Sequence, residues 1–348
     1  MNPRFQSINQ PFSNEMLIDG KRYLYFGGTA YLGIPQHQGF QELFLEGIKN
    51  FGLNNGTSRS NNIQLGIYNA AEKVSAARFH AEAALITSSG YLAAQLTVKY
   101  FAGFGELLYA PNSHTALWLN EPPANSGSFT AWKKEVIEKI NTSKKKNWVL
   151  ISNSMNNLIP EIYDFGFLNA VDPDKNMVLI VDDSHGIGVN NQGLSALSIL
   201  PQKANITCIV IASMAKALGI DAGLVLGPQK MVSELKGTNM FVGASPPAAA
   251  GLYAFIHAAE LYQAQWTKLQ QNINQFASGL DSKWKFESGF PAFLIDNSTI
   301  DQYLLKEKIL ISSFPYPTKD SDPLNRIVLS SWHKEKDIQL LIKMIAKI

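Results

Sequence analysis

Two short polar stretches contain the side chains of this sequence that could act together in chemistry. They are Val181-Asp182-Asp183-Ser184-His185-Gly186 and Ser213-Met214-Ala215-Lys216-Ala217-Leu218-Gly219. Each stretch follows an apolar run that is typical of a buried strand. If both strands lie in one parallel sheet, the carboxylate, imidazole, hydroxyl and amine groups meet at the edge where such sheets bind ligands.

This set of groups suits pyridoxal phosphate (PLP). Asp182 could pair with a protonated ring nitrogen, which makes the ring a strong electron sink. His185 could form a hydrogen bond with the phenolic oxygen, and Ser213 could donate to the phosphate. Lys216 lies among small residues, where a partly desolvated amine becomes a nucleophile for Schiff-base formation. The opposing explanations are a helix cap for Asp182 and a solvated loop lysine, and the spacing between the two stretches favours PLP.

Two further segments could complete such a site. Ser89-Gly90-Tyr91, termed the phosphate turn below, lies between a strand and a helix, where backbone N–H groups bind anions. Gly90 allows close approach to the phosphate. His114 begins the next predicted helix and could stack on an aromatic ring, although capping or core histidines are more common.

Apolar runs alternate with helical patterns along most of the chain. Asp19-Gly20 predicts a hairpin turn between two N-terminal strands. Further strands are predicted at 84–87, 106–109, 148–151, 177–181 and 206–212, with helices at 91–101 and near 114–119. This alternation predicts an α/β fold with a mainly parallel sheet.

A second region follows Pro246-Pro247, where the pattern changes. We predict one long helix from Ala249 to about Phe276, strands at 293–295, 309–312 and 327–329, and a last helix at 336–346. The predicted organisation is an N-terminal segment (1–40), a large PLP-binding α/β domain (41–247) and a smaller C-terminal α+β domain (248–348).

Composition gives no indication of nucleic acid or an anionic membrane as the main partner. The formal net charge is +2 over 348 residues, and there is no long apolar span. The single cysteine, Cys208, lies in a predicted strand and excludes disulfides within the chain. No metal site is predicted, and we expect a soluble cytoplasmic protein.

In these motifs the chain resembles the α-oxoamine synthases, which are PLP-dependent transferases of fold type I. The resemblance runs from about Tyr23 to the C-terminus and includes the phosphate turn. Its other motifs are Tyr31-Leu32-Gly33, Gly56-Thr57-Ser58-Arg59, Ser113-His114, Asp182-Asp183-Ser184-His185-Gly186 and Ser213-Met214-Ala215-Lys216.

The resemblance implies a specific chemistry. Lys216 would hold PLP as an aldimine and remove the Cα proton of an amino acid or amine, giving a quinonoid that Asp182 helps to stabilise. The carbanion would attack an acyl-CoA, and loss of CoA would give an aminoketone. His114 would stack on the ring, and His185 would contact it. The resemblance also implies a homodimer with active sites at the subunit interface.

Several substrate-side positions depart from the family pattern. Thr29 replaces an asparagine, and Phe314 stands where an arginine clamps the substrate carboxylate. Phenylalanine cannot replace that guanidinium. The segment from Ser152 to Glu161 replaces a Ser-Met-Asp-Gly-Asp motif, and Val242-Gly243 replaces a threonine pair. Arg326 aligns with a different, structural arginine. Asn153, Tyr316 and Lys319 are candidates to replace the clamp.

Three functions therefore remain open. The first is an acyl-CoA-dependent condensing enzyme, and the second is a PLP-dependent aminotransferase, decarboxylase or lyase. The third is a PLP-binding protein without turnover. All three require Lys216 and Asp182, so the cofactor is predicted more sharply than the substrate.

Overall fold

The apolar runs form two six-stranded sheets in the computed structural model, which describes residues 5–123, 127–156, 158–316 and 320–347. The strands are β1 Glu15–Ile18, β2 Lys21–Phe26, β3 Ala83–Thr87, β4 Glu106–Tyr109, β5 Asn147–Asn153, β6 Met155–Asn156, β7 Glu161–Ile162, β8 Asn176–Asp182, β9 Ile206–Ser213, β10 Gly223–Gly227, β11 Trp284–Phe286, β12 Ala292–Ile295, β13 Ile309–Pro315 and β14 Pro323–Val328. The helices are α1 Gln38–Phe51, α2 Ile67–Arg78, α3 Gly90–Phe101, α4 Phe129–Thr142, α5 Gln229–Lys236, α6 Asn239–Val242, α7 Ala249–His257, α8 Ala259–Ala277, α9 Ile300–Lys306 and α10 Glu335–Ile345.

The larger part of the chain is built on the sheet with strand order β3-β10-β9-β8-β5-β4. The strands β4, β5, β8 and β9 are parallel, and β10 is antiparallel to both of its neighbours. The predicted α/β fold with a mainly parallel sheet is therefore confirmed. The short strand β10, with a glycine at each end, was not among the predicted strands.

Both faces of this sheet are covered, which explains why its strands are apolar throughout. Leu85 and Ile180 pack on one face with residues of α3, whereas Ile86 and Leu179 belong to the main core on the other face. Burial on both faces removes the polar–apolar alternation of a half-exposed strand. The same arrangement leaves the polar residues at the strand ends.

The second sheet joins the two ends of the chain, in the order β1-β2-β13-β14-β12-β11. The N-terminal hairpin is confirmed, and its turn residues Asp19 and Gly20 both have positive φ, at 50° and 71°. Strand β2 pairs in parallel with β13. The N-terminal strands thus lie in the C-terminal sheet, while the domain boundaries at residues 40 and 247 stay predictions.

Two predicted helices were wrong in detail. The single helix from Ala249 to Phe276 is two helices, α7 and α8, separated at Ala258, where φ is −98° and ψ is 22°. Neither proline nor glycine marks this break in the sequence. The helix predicted near His114–Leu119 is one 3-10 turn over Thr115–Leu117. Within the described ranges, no helix is both long and apolar enough to cross a bilayer.

Helices α1 and α7 pack closely because α1 carries a glycine at their contact. A Cβ atom on Gly47 would lie 2.7 Å from the carbonyl oxygen and 2.8 Å from the Cα of Ala250. These neighbours are backbone atoms, so they cannot move aside as a flexible side chain could. The contact therefore requires glycine in the middle of a helix, where its propensity is poor.

We expect Gly47→Ala to destabilise the protein by about 1–3 kcal/mol, because overpacking outweighs the better helix propensity of alanine. Thermal or urea unfolding measures the change. Gly66→Ala is the matched control, since a Cβ atom there has nothing within 4 Å. Equal stability of Gly47→Ala and the parent protein would contradict this close contact.

Candidate active site

Parallel register brings the ends of the central strands together. Asp182, at the end of β8, is paired with Asn153 of β5 and Ile211 of β9. Ser213 ends β9 two residues beyond Ile211. A cavity of about 310 Å³ lies at this edge. Its wall contains Asn112, Ser113, His114, Thr115, Trp118, Asn153, Met155, Asn156, Leu158, Asp182, Ser184, His185, Lys216 and Tyr316.

Hydrogen bonds connect the two polar stretches identified in the sequence. The carboxylate Oδ1 of Asp182 accepts the backbone N–H of Ser184 at 2.9 Å, and Ser184 Oγ accepts the N–H of Ser213 at 2.8 Å. Asp182 is only 8% exposed. Ser184 therefore links the carboxylate at the end of β8 to the segment that carries Lys216.

The phosphate turn lies against Ser213. A Cβ atom on Gly90 would be 2.6 Å from Ser213 Cβ and 2.7 Å from its Cα. Ser89 is the N-cap of α3, where its Oγ accepts the N–H of Leu92 at 3.1 Å. Tyr91 is 63% exposed. Among the described residues, the phosphate turn and Ser213 are not part of the cavity wall. They are connected to it by the hydrogen bond between Ser213 and Ser184, because Ser184 does line the cavity.

His114 lines the cavity and also caps the 3-10 turn, since its Nδ1 accepts the N–H of Ala116 at 3.2 Å. Its own backbone N–H donates to Asn153 Oδ1 at 3.0 Å. The amide nitrogen of Asn153 donates to the carbonyl of Asn112 at 2.7 Å. Asn153 thus holds the loop of His114 in place.

The ionisable groups in the cavity have shifted proton affinities. Burial lowers the pKa of Lys216, and the negative charge of Asp182 opposes that shift. Burial also holds the pKa of His185 well below its usual range, and positive charge at Lys216 and Arg326, with His114, adds to this effect. The amine is therefore easier to deprotonate than an exposed lysine, and His185 is neutral at pH 7.

Tyr31 and Arg326 come from the part of the chain that forms the second sheet: Tyr31 follows β2, and Arg326 lies on β14. The hydroxyl of Tyr31 lies 2.7 Å from His185 Nδ1. Arg326, on β14, is buried, and its guanidinium carbon lies 5.7 Å from the centre of the Phe314 ring. Phe314 is on the neighbouring strand β13. The aromatic ring at the predicted clamp position therefore contacts an arginine of the adjacent strand.

The other residues singled out in the sequence take varied positions. Tyr316 and Asn153 line the cavity, whereas Lys319 lies outside the described residues. The carbonyl of Thr29 accepts the N–H of Tyr31 at 2.8 Å. Arg59 donates to the carbonyl of Ile86 at 2.7 Å, and its guanidinium lies between two aromatic rings.

Sequence reasoning did not single out several residues that shape the cavity. Trp118, Met155 and Leu158 give it an apolar wall, and Asn112 adopts a left-handed conformation with φ at 57°. Their types are common in ordinary cores and turns, so the sequence held no specific signal for them. Tyr31 was noted only as part of a motif, and its contact with His185 was not predicted.

Comparison with known proteins identifies the family. Residues 121–345, more than half of the chain, match the family model described as aminotransferase class I and II. The chain belongs to this family. The predicted PLP-dependent transferase is thereby confirmed at the level of the family, together with its cofactor class.

Individual proteins support the same fold. An 8-amino-7-oxononanoate synthase of Saccharophagus degradans is 23% identical over 358 residues, covering 97% of this chain and 90% of that protein. A serine palmitoyltransferase structure from Sphingomonas wittichii has a TM-score of 0.81 at 16% identity, covering 98% and 91% of the two chains. An 8-amino-7-oxononanoate synthase structure from Francisella tularensis has a TM-score of 0.69 at 19% identity, covering 93% and 97%. The predicted fold type I architecture is confirmed.

Asp183, next to Asp182, provides a test of the electrostatics beside the cavity. Its Oδ2 accepts the N–H of Ala196 at 2.7 Å, and burial raises its pKa to about 7. The folded protein therefore holds a proton that the unfolded chain releases near pH 4. Because the unfolded state binds fewer protons in this interval, the free energy of unfolding falls as pH rises from about 4 to about 7.

Asp183→Asn cannot ionise, so we expect its stability relative to the parent protein to improve as pH rises from about 4 to about 7. Chemical unfolding at a series of pH values measures this difference. Asp172→Asn changes an exposed side chain and serves as the control. A relative stability of Asp183→Asn that does not vary with pH would show that folding does not raise the pKa of Asp183.

Proposed function

We propose that this protein condenses an amino acid or amine with an acyl-CoA to form an aminoketone, using PLP bound at Lys216. The observation that carries this proposal is the shared cavity of Asp182, His185, Lys216 and His114 at the ends of parallel strands. The names of the matched relatives, which include 8-amino-7-oxononanoate synthase and serine palmitoyltransferase, support this reaction class.

The side chains fit PLP in type and arrangement. A buried carboxylate at Asp182 suits a protonated ring nitrogen. The N-terminus of α3, where Gly90 allows the chain to approach Ser213, suits the phosphate. His114 and His185, in the cavity wall, are assigned to contact the ring. We assign phosphate binding to Ser89, Gly90, Tyr91 and Ser213.

Bound PLP supplies an electron sink for a carbanion. Lys216 supplies the amine that binds the cofactor and, when released, the base that removes a proton from the substrate Cα. Its lowered pKa increases the fraction of free amine at neutral pH. Asp182 would hold positive charge on the ring nitrogen of bound PLP, and its 8% exposure would keep water away from that ion pair.

The substrate contacts differ from the pattern of the resembling family. Trp118, Met155 and Leu158 make one wall of the cavity apolar. Phe314 leaves no guanidinium at the predicted clamp position, which weakens any mechanism that anchors a substrate carboxylate there. Amino transfer is the second candidate reaction, because the same residues serve it and the family match includes aminotransferases.

We further propose a homodimer in the cytoplasm. Leu53, Ile63 and Tyr91 are large side chains that are 79%, 75% and 63% exposed. Leu53 also lines a second cavity, of about 420 Å³, beside Ser245 and the proline pair. A second copy of the chain would cover these groups. The single thiol, Cys208, is buried.

Cofactor attachment is tested by substituting Lys216. We expect PLP-reconstituted protein to show an absorbance band near the visible edge, and Lys216→Ala to lose it. The exposed lysine variant Lys230→Ala should retain the band. With the reconstituted parent protein, amino acids and amines are then tested with acyl-CoA thioesters for thiol release. Keto-acid-dependent amino transfer without thiol release would favour the second candidate, and absence of the band would exclude both.

The phosphate turn is tested by adding one methyl group. Gly90→Ala places a Cβ atom 2.6 Å from that of Ser213 and should weaken PLP binding by at least tenfold. Gly103 lies just after the same helix, and a Cβ atom there has nothing within 4 Å. The Gly103→Ala variant should therefore bind PLP as the parent protein does. Fluorescence titration with PLP gives both affinities. Equal PLP affinities of the two variants would contradict the assignment of phosphate binding to this turn.

A further inference from the structure

The closest polar contact of His185 is with Tyr31, which is far away in sequence. The phenolic oxygen lies 2.7 Å from His185 Nδ1, across 154 positions of sequence. Tyr31 is 3% exposed, and its ring also packs edge-on against Phe290, with ring centres 5.5 Å apart. His185 lines the cavity, whereas Tyr31 lies behind it. Tyr31 can therefore act on a ligand only through the imidazole.

The direction of this hydrogen bond follows from the partners of the phenol. Among the described residues, Nδ1 of His185 is the hydrogen-bond acceptor found for the Tyr31 hydroxyl. A buried hydroxyl that accepted a proton from Nδ1 would leave its own O–H without an acceptor, which is costly. Burial raises the pKa of the Tyr31 hydroxyl well above its usual range, and the positive charge of Arg326 opposes only part of this shift, so the phenol keeps its proton and has it to donate. Tyr31 is therefore the donor.

Burial of His185, with the charges around it adding to the effect, determines how many protons the imidazole carries. It faces Lys216 on the loop after β9, Arg326 on β14 and His114 on the loop after β4. A second proton on the ring would add positive charge beside two cations. The ring therefore carries one proton. With Nδ1 occupied by the Tyr31 hydroxyl, that proton lies on Nε2.

We propose that Tyr31 is a positioning residue that fixes His185 in the Nε2–H tautomer, so that the cavity presents an N–H donor to an anionic oxygen of its ligand. The identity of that oxygen, the phenolic oxygen of PLP, rests on the proposed function. The tautomer of His185 does not depend on it. Without Tyr31 the proton could occupy either nitrogen, and His185 could turn an acceptor toward the same oxygen.

The tautomer is measured directly by long-range ¹H–¹⁵N correlation spectra of histidine-labelled, full-length protein, with PLP bound and after its removal. The chain has six histidines, and the spectrum of His185→Gln assigns the signal. In the parent protein we expect the proton on Nε2 in both states. In Tyr31→Phe we expect signals of both tautomers, and PLP affinity about three- to tenfold weaker, as for one lost hydrogen bond.

Tyr100→Phe is the matched control, because its hydroxyl binds Glu234 on the protein surface at 2.9 Å. It should change neither the tautomer nor the PLP affinity. A proton on Nδ1 in the parent protein overturns the proposal, even if Tyr31→Phe fails to fold. So does a Tyr31→Phe protein that binds PLP more weakly with its tautomer unchanged, which would indicate a packing role. Failure of the condensation reaction alone would leave the tautomer result intact and would overturn only the proposed function.

Discussion

The parallel register of β5, β8 and β9 is the constraint on which the site depends. It sets Asn153, Asp182 and Ile211 side by side, so that the loops after three strands open into one cavity. Asn153 and Asp182 are the last residues of β5 and β8, where the apolar interior of each strand ends and polar groups begin. Asn153 holds the backbone of His114, Asp182 orders Ser184, and Ser184 holds the segment leading to Lys216. A shift of β9 by one residue relative to β8 would move the backbone of Ser213 away from Ser184 and break that connection.

The sequence was sufficient to predict this edge because its signals are local. A polar residue that directly follows an apolar run is placed at a strand end by the run itself, as Asp182 and Ser213 are. Contacts across long separations carry no such signal. Tyr31 reaches His185 over 154 positions, and His114 meets Asn153 over 39. The break at Ala258 was missed for another reason, since an alanine-rich segment favours continuing the helix.

The substrate side of the site is explained by packing between two antiparallel strands. Register pairs Arg326 with Ser312, so the guanidinium reaches the ring of Phe314 two residues along β13. An aromatic ring stabilises a neighbouring cation, whereas an arginine at position 314 would set two guanidinium groups near each other. The residue at the predicted clamp position thus supports the buried Arg326. Phe314 in place of the clamp arginine and the buried Arg326 therefore form one packing arrangement.

Charge balance then connects this arrangement to the polar groups of the cavity. Lys216 and Arg326 bring positive charge near His185, and Asp182 supplies negative charge near Lys216. Protonating His185 would add a further positive charge in a buried setting, so the imidazole stays neutral and acts through one N–H. A ligand with anionic oxygens relieves the same excess of positive charge. The groups that keep His185 neutral are therefore also those that favour an anionic cofactor, and a neutral ligand of the same shape would gain less from this cavity.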